Sequence, residues 1–250
     1  MPVLNVTKQT AIIKMKKQDS PSCLSCDSIK NSVFGELDNK NLGCLDSHKT
    51  CNLYKKGQVI FHEGNRPLGL YCLKQGKVKI YKTGIDGREQ IVRLVKPGEL
   101  LGYRAFLGEE FYSASAASIE DAVVCFIDKN DFHTVLHEDE KLSWNLIQIL
   151  TRELREAENL LRDMAQKTVR ERLAEVLLLI KQKYGVDQSD STLLSAHLSR
   201  DELASFVGTA TETLIRLLSD MKAEGVIETE GKRIRILDTK ALAEIANIEF

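Results

Sequence analysis

Nine of the 15 glycines fall between Gly57 and Gly108, and that crowding restricts the middle of the chain more than any other feature. The turn signals KKG, EGN, KQG, GIDG and KPG leave room only for short runs such as VIFH, LYCL, KVKIY and EQIVRLV. Alternation in Lys77-Val78-Lys79-Ile80-Tyr81 puts apolar and polar side chains on opposite faces, the period of a strand. Residues from about 50 to 128 therefore predict a small antiparallel barrel or sandwich, its last strands lying in ASAASIEDAVVCFID.

On either side the pattern changes. Residues 1–48 are polar, with apolar anchors only around Val33, Phe34 and Leu37, and predict a loose arm with one short helix. From Asp131 the period becomes helical. Ile147, Leu150, Leu154, Ala157, Leu161 and Met164 step by three and four to Thr168, between charged residues such as Arg152, Glu153, Arg155 and Glu156. That spacing is an a/d seam, so we expect a helix shared by two subunits rather than one packed only on its own barrel. Thr168-Val-Arg-Glu171 reads as a capping box and opens a C-terminal helical domain. The expected division is an arm over 1–48, a β-domain over 49–130, a connecting and dimerisation helix over 131–167 and a C-terminal helical domain over 168–250.

Composition bounds the function less tightly. A chain of 250 residues with 43% apolar and 28% charged residues can bury two modest cores. It holds no run of the ~18 apolar residues that span a bilayer, and MPVLNVTKQTAIIKMKKQ lacks the apolar block of a signal peptide, so a cytoplasmic protein without a membrane partner is expected. In a reducing compartment Cys23, Cys26, Cys44, Cys51, Cys72 and Cys125 would not form a disulfide framework, which leaves structural thiols, metal ligands or redox sensors. Net charge is −1, and residues 168–250 hold 11 Lys/Arg against 14 Asp/Glu. Bulk charge thus gives no sign of nucleic acid, and any such case must rest on local placement.

The local placement is there. Ser199-Arg-Asp-Glu202 is a second capping box, its helix burying Leu203, Phe206 and Val207 and ending at Gly208, which can take positive φ. Thr209-Ala-Thr-Glu212 reads as a third box, opening a helix with Leu214, Leu217, Leu218 and Met221 inward. The other face presents Thr211, Glu212, Ile215, Arg216 and Ser219. An exposed Glu–Arg pair one turn apart contributes a few tenths of a kcal/mol to a helix, about enough to explain the charges. It does not explain Ile215 between them. A major groove accounts for all three: arginine takes guanine O6 and N7, glutamate accepts from cytosine N4, and an aliphatic group meets a thymine methyl. This is a helix-turn-helix, with Thr209, Thr211, Glu212, Thr213, Ile215 and Arg216 as the DNA-contacting set. Residues 226–236 then read as a hairpin turning near Gly231, its Lys232, Arg233 and Arg235 on a wing beside phosphates.

KKGQVIFHEGN, LYCLKQGKVKIYKTGIDGREQIVRLVKPGELLG and SRDELASFVGTATETLIRLLSDMKAEGVI together resemble, in order and spacing, the Crp/Fnr transcription regulators. The resemblance covers nearly the whole chain from about Cys23 and implies an α+β fold: an N-terminal antiparallel β-roll (a cyclic-nucleotide-binding-like jelly roll), a long dimerisation helix and a C-terminal winged helix-turn-helix. Glu212 and Arg216 match the family's base-reading pair, while Thr211 stands where the cyclic-AMP receptor has an arginine. Where nucleotide-binding members carry Gly-Glu and Arg-Ser/Thr-Ala, this chain has Gly102-Tyr103 and Tyr112-Ser113-Ala114, so cyclic AMP is not expected. An anionic phosphate without its arginine loses a charge-assisted hydrogen bond. Arg104 lies out of register to replace it.

Cys23, Cys26 and Cys125 match three ligands of the family's iron–sulfur oxygen sensors, but the position expected for the fourth is Ser32, so Cys44 or Cys51 would have to serve. A cluster, zinc and no metal all stay open. His48, His62, His133, His137 and His197 form no H-E-x-x-H or comparable metal pattern and are expected to be solvated or structural. No general base or electrophile accompanies Cys23 and Cys26, which argues against an enzyme. The expectation is a homodimeric, sequence-specific regulator of double-stranded DNA on a near-palindromic operator, with RNA polymerase as a further partner and a signal sensed in the N-terminal domain. The competing expectation is a ligand- or redox-sensing protein that acts through protein contacts.

Overall fold

The computed structural model describes residues 13–14 and 22–248. The chain divides into two compact units, one of residues up to 78 with 97–139, the other of 79–96 with 140–250.

The first unit is built on a five-stranded sheet in the order β1-β2-β9-β4-β7, with neighbours antiparallel. Here β1 is Ile13–Lys14, β2 Thr50–Tyr54, β4 Gly69–Gln75, β7 Leu100–Leu101 and β9 Ala122–Asp128. A second antiparallel pair joins β3 (Val59–Phe61) to β8 (Ser115–Ser118). Gly69 shows why the segment needs glycine: a Cβ there would stand 2.1 Å from the Ile127 carbonyl on β9, so only a bare backbone lets β4 start beside its neighbour. Helices α1 (Asn39–Ser47), α2 (Tyr103–Leu107) and α3 (Lys129–Glu138) complete the unit.

The expected loose arm is, from residue 22, folded. Two 3-10 turns, Cys23–Ser25 and Asp27–Asn31, lead into α1, and the few apolar anchors are all buried. Phe34 stands edge-on to Phe132 of α3 with centroids 6.2 Å apart, and Phe106 does the same at 5.5 Å. Each buried phenylalanine contributes about 1.5–3 kcal/mol, enough for a polar segment to be held by a handful of side chains.

In the second unit, the strands β5 (Val78–Thr83, from Lys79 onward) and β6 (Glu89–Val95) pair across the turn at Gly84–Gly87. The expected helical segment after 131 resolves into α3 and, after a break at Asp139, the 27-residue α4 (Glu140–Gln166). Then follow α5 (Val169–Tyr184), α6 (Arg200–Val207), α7 (Thr211–Ala223), β10 (Ile227–Glu230), β11 (Arg233–Ile236) and α8 (Thr239–Ala246). The capping boxes at Thr168 and Ser199 are both formed, each hydroxyl and its glutamate reciprocally satisfying backbone N–H groups. Leu173, Leu177, Ile180, Leu203, Val207, Leu214, Leu218, Met221 and Leu242 make the core. Leu217, expected inward, is only half-buried.

Strand β6 is tied to α6 by the Ser205 hydroxyl and by Gln90, whose side-chain amide donates to the Phe206 carbonyl at 3.5 Å. The Ile91 N–H donates to Ser205 Oγ at 3.0 Å, and Ser205 Oγ–H donates to the Glu89 carbonyl at 2.8 Å. Nearby, Arg93 pairs with Glu153 of α4.

Candidate nucleic-acid interface

Helix α6 ends at Gly208 in the left-handed conformation (φ 73°, ψ 52°), and α7 begins at Thr211. Three residues, Gly208, Thr209 and Ala210, therefore make the turn. The third capping box is not formed. The N-cap of α7 is Ala210, which has no side chain to accept a bond, and the helix starts one residue later than Thr209 would place it. Its first turn is instead anchored sideways, by Thr211 Oγ1–H donating to Asp201 on α6 at 2.8 Å.

Arg172 on α5 fixes this corner from beneath. Its guanidinium donates to three carbonyls: Lys167 at 2.7 Å, Val207 at 2.9 Å and Gly208 at 3.3 Å. Helix α7 is pinned at its far end by Arg170, which pairs with the C-cap residue Glu224. Charge at this end also suits the helix dipole, since the cation sits by the last carbonyls.

Mounted this way, α7 buries Leu214, Leu218 and Met221 and leaves Glu212, Ile215, Arg216 and Ser219 exposed, Ile215 to 51%. Among the described residues no ion pair joins Glu212 to Arg216, and both side chains are exposed. Thr209, Thr211 and Thr213 are half-buried at its margin.

The hairpin β10–β11 pairs Ile227 with Ile236 and Glu230 with Arg233, and turns at Gly231-Lys232 with Gly231 at φ 56°. Arg200, at the start of α6, donates to the Gly231 carbonyl at 2.8 Å and braces the tip. Lys232 and Arg233 are exposed there. Arg235 is not available as expected: it donates to Asp190 at 2.9 Å and to Glu228 at 3.2 Å, with Glu230 3.5 Å away. Asp190 also accepts from Thr192 Oγ1–H and N–H, and these bonds with Arg235 hold its carboxyl down at about 2. Arg235 is thus a brace of the wing, and two cations rather than three face outward.

On α4 the expected seam lies open. Ile147, Leu154, Ala157 and Leu161 are exposed, Leu154 to 61% and Leu161 to 72%, while Leu150 and Met164 are half-buried. Trp144, 59% exposed, extends the stripe by one step and borders a shallow groove with Ile147, Gln148, Thr151, Arg152 and Arg155. Trp144 precedes Ile147 by three residues, a spacing that would have found it.

The cysteines are arranged otherwise than expected. Cys51 and Cys125 stand opposite each other on β2 and β9 and are joined by a disulfide, against the expectation of free thiols. Cys72 on β4 faces Cys125 from the other side, so three sulfurs form one row across three strands. Cys23 is buried and accepts from Lys49 Nζ at 3.3 Å; burial pushes its thiol up to about 11. Burial, with the charges of Cys26 and Cys23 behind it, pushes Cys72 up to about 12. Cys44 points away, towards the Asp131 carbonyl at 4.0 Å. The proposed metal set of Cys23, Cys26 and Cys125 with Cys44 or Cys51 therefore does not fit a cluster. Two of its sulfurs are bonded to each other, and among the described residues no group of three or more His, Cys, Asp or Glu side chains could hold a metal ion.

Where a cyclic phosphate would need its arginine, Tyr112 is buried and stacks on Phe61 with centroids 4.1 Å apart. A Cβ on Gly102 would meet that tyrosine ring at 2.9 Å, and Ser113 is turned outward. The aromatic row Tyr112, Phe61, Tyr71 and Phe126 fills this part of the roll.

Residues 52–139 match the cyclic nucleotide-binding domain, and residues 171–245 match the Crp-like helix-turn-helix domain. Among curated proteins, the transcriptional activator protein FnrA of Stutzerimonas stutzeri is 27% identical over 94% of this chain and 96% of its own length. The cyclic AMP receptor protein of Thermus thermophilus is 32% identical over 78% of this chain and 87% of its own. Among solved structures, FixK2 from Bradyrhizobium japonicum superposes with a TM-score of 0.71 at 24% identity, covering 81% of this chain and 99% of that one, a likeness of fold. No helix among the described residues is long and apolar enough to cross a membrane.

Proposed function

This chain belongs to the Crp/Fnr family of transcription regulators, which are not enzymes, and from that premise we propose that it binds a near-palindromic operator as a homodimer in the cytoplasm. The observation that carries the proposal is the exposed row Glu212, Ile215 and Arg216 on α7, unpaired among themselves and mounted by Arg172 and Thr211. Glu212 accepts from a cytosine amino group, Arg216 takes guanine, and Ile215 meets a thymine methyl, with Thr209, Thr211 and Thr213 at the edge of the groove. Lys232 and Arg233 meet phosphate and set position without reading sequence. The open stripe of Trp144, Ile147, Leu154 and Leu161 supports a second copy packed along α4, which places two reading helices about 34 Å apart.

The signal enters through the N-terminal unit and shifts the population of DNA-competent dimers. Cyclic AMP is not that signal in this proposal, because Tyr112 supplies an aromatic ring where the phosphate needs a cation. An iron–sulfur cluster is not invoked either, since Cys125 is bonded to Cys51 and Cys44 is directed at the Asp131 carbonyl. RNA polymerase is the downstream partner that such a regulator would touch.

The test is binding of Arg216→Ala to a series of operator variants. Loss of about 1–3 kcal/mol confined to one base pair supports base reading. Equal loss on every sequence refutes it and leaves Arg216 as a phosphate contact.

A further inference from the structure

Helix α3 carries two imidazoles that none of the preceding functions uses. His133 and His137 lie one turn apart on its exposed side, with their Nε2 atoms 3.2 Å from each other and ring centroids 4.3 Å apart. The other polar side chains around them are already engaged. Asp131 accepts from His48 at 3.0 Å, Glu138 from Lys40 at 2.8 Å, and Thr134 donates to the Asn130 carbonyl. The carboxylates of α3 thus have partners of their own, and among the described residues the two rings bond only to each other.

With both Nε2 atoms facing each other, one ring donates and the other accepts. That is the donor set of a chelate with a proton in the metal's place. Zn–N bonds run about 2.0–2.1 Å, and two such bonds spanning 3.2 Å subtend roughly 103°, between square and tetrahedral values. Aligning both lone pairs on one ion would open the centroids from 4.3 Å to about 5 Å, a small displacement of two exposed side chains. We propose that His133 and His137 form a bidentate site for a borderline divalent transition ion such as Zn2+ or Ni2+, which locks the last turn of α3. No third His, Cys, Asp or Glu converges on the pair among the described residues, so water fills the remaining positions and the ion stays exchangeable.

Ni2+ is the better probe because imidazole suits it and thiolates compete less. Titration of the full-length, untagged chain with Ni2+ by calorimetry should show a saturable site, and His133→Ala and His137→Ala should each weaken it about tenfold or more. His137→Gln, which keeps the polarity and size of the side chain, should fail equally, whereas His62→Ala should bind as the parent does. Unchanged Ni2+ affinity in the His133 and His137 variants, or the same loss in His62→Ala, would overturn the site. Circular dichroism of each variant separates loss of the ion from loss of the helix.

Discussion

Arg172 is where one substitution should reveal how the reading head is held. Its guanidinium serves three backbone carbonyls from two places in the chain: Lys167 before α5, and the adjacent Val207 and Gly208 at the corner between α6 and α7. A hydrogen bond to a charged donor contributes about 1.5–3 kcal/mol. Taking the low end for the bonds at 2.7 and 2.9 Å, because the site is only half-buried, and half of that for the bond at 3.3 Å, Arg172→Met should lose about 3–4 kcal/mol. Methionine keeps most of the aliphatic stem, so the loss reports bonding rather than packing. Arg172→Lys presents one ammonium that cannot span three acceptors, and should recover about a third of the loss. Urea unfolding followed by far-UV circular dichroism measures both, and in melting the methionine variant should fall by roughly 6–16 °C. A methionine variant within about 0.5 kcal/mol of the parent would refute the reasoning, since the three carbonyls would then be as well served by water.

Three further outcomes are expected. Leu154→Lys with Leu161→Lys places four ammonium groups along a paired α4 seam, and sedimentation should show monomers that no longer bind operator; a dimer that persists places the interface elsewhere. Reducing Cys51–Cys125 frees a loop of 74 residues and should lower stability by at most about 4.4 kcal/mol from chain entropy alone, read as the difference in urea midpoint with and without dithiothreitol; Cys51→Ser should lose the same and become insensitive to reductant. Asp190 is held at about 2 by Thr192 and Arg235, a depressed value, so its support of the wing is complete above the unfolded carboxylate value near 4 and disappears as pH falls towards 2. Chemical-shift titration of the hairpin should show this step, and Asp190→Asn should abolish it while leaving α7 unchanged.

What the sequence disclosed was local. The boxes at Thr168 and Ser199 form because hydroxyl and glutamate lie three residues apart in one segment, so spacing alone decides them. The same spacing at Thr209 misleads, because Thr211 finds Asp201, ten residues back on another helix. Ile215 was legible as an aliphatic residue out of place, and it stands exposed. The disulfide was not legible: Cys51 and Cys125 meet through strand register, which no spacing between them encodes. Arg235 alternates in its strand like a solvent-facing residue, yet Asp190 takes it, from a loop that carries no signal of its own. Glycine crowding announced the β-segment, but not that its hairpin at 79–96 would be grouped with the C-terminal helices.

The Ser205 hydroxyl fixes the register between β6 and α6. By accepting from Ile91 N–H and donating to Glu89 C=O, it imitates the residue of an absent neighbouring strand. Groups pointing to one edge of a strand recur every second residue, so the next equivalent seat along β6 lies about 6.6–6.8 Å away. Between those seats the hydroxyl has nothing to hold. Helix α6 is therefore held at one register along β6, and sliding the hairpin by less than two residues would break both bonds to Ser205 without forming new ones.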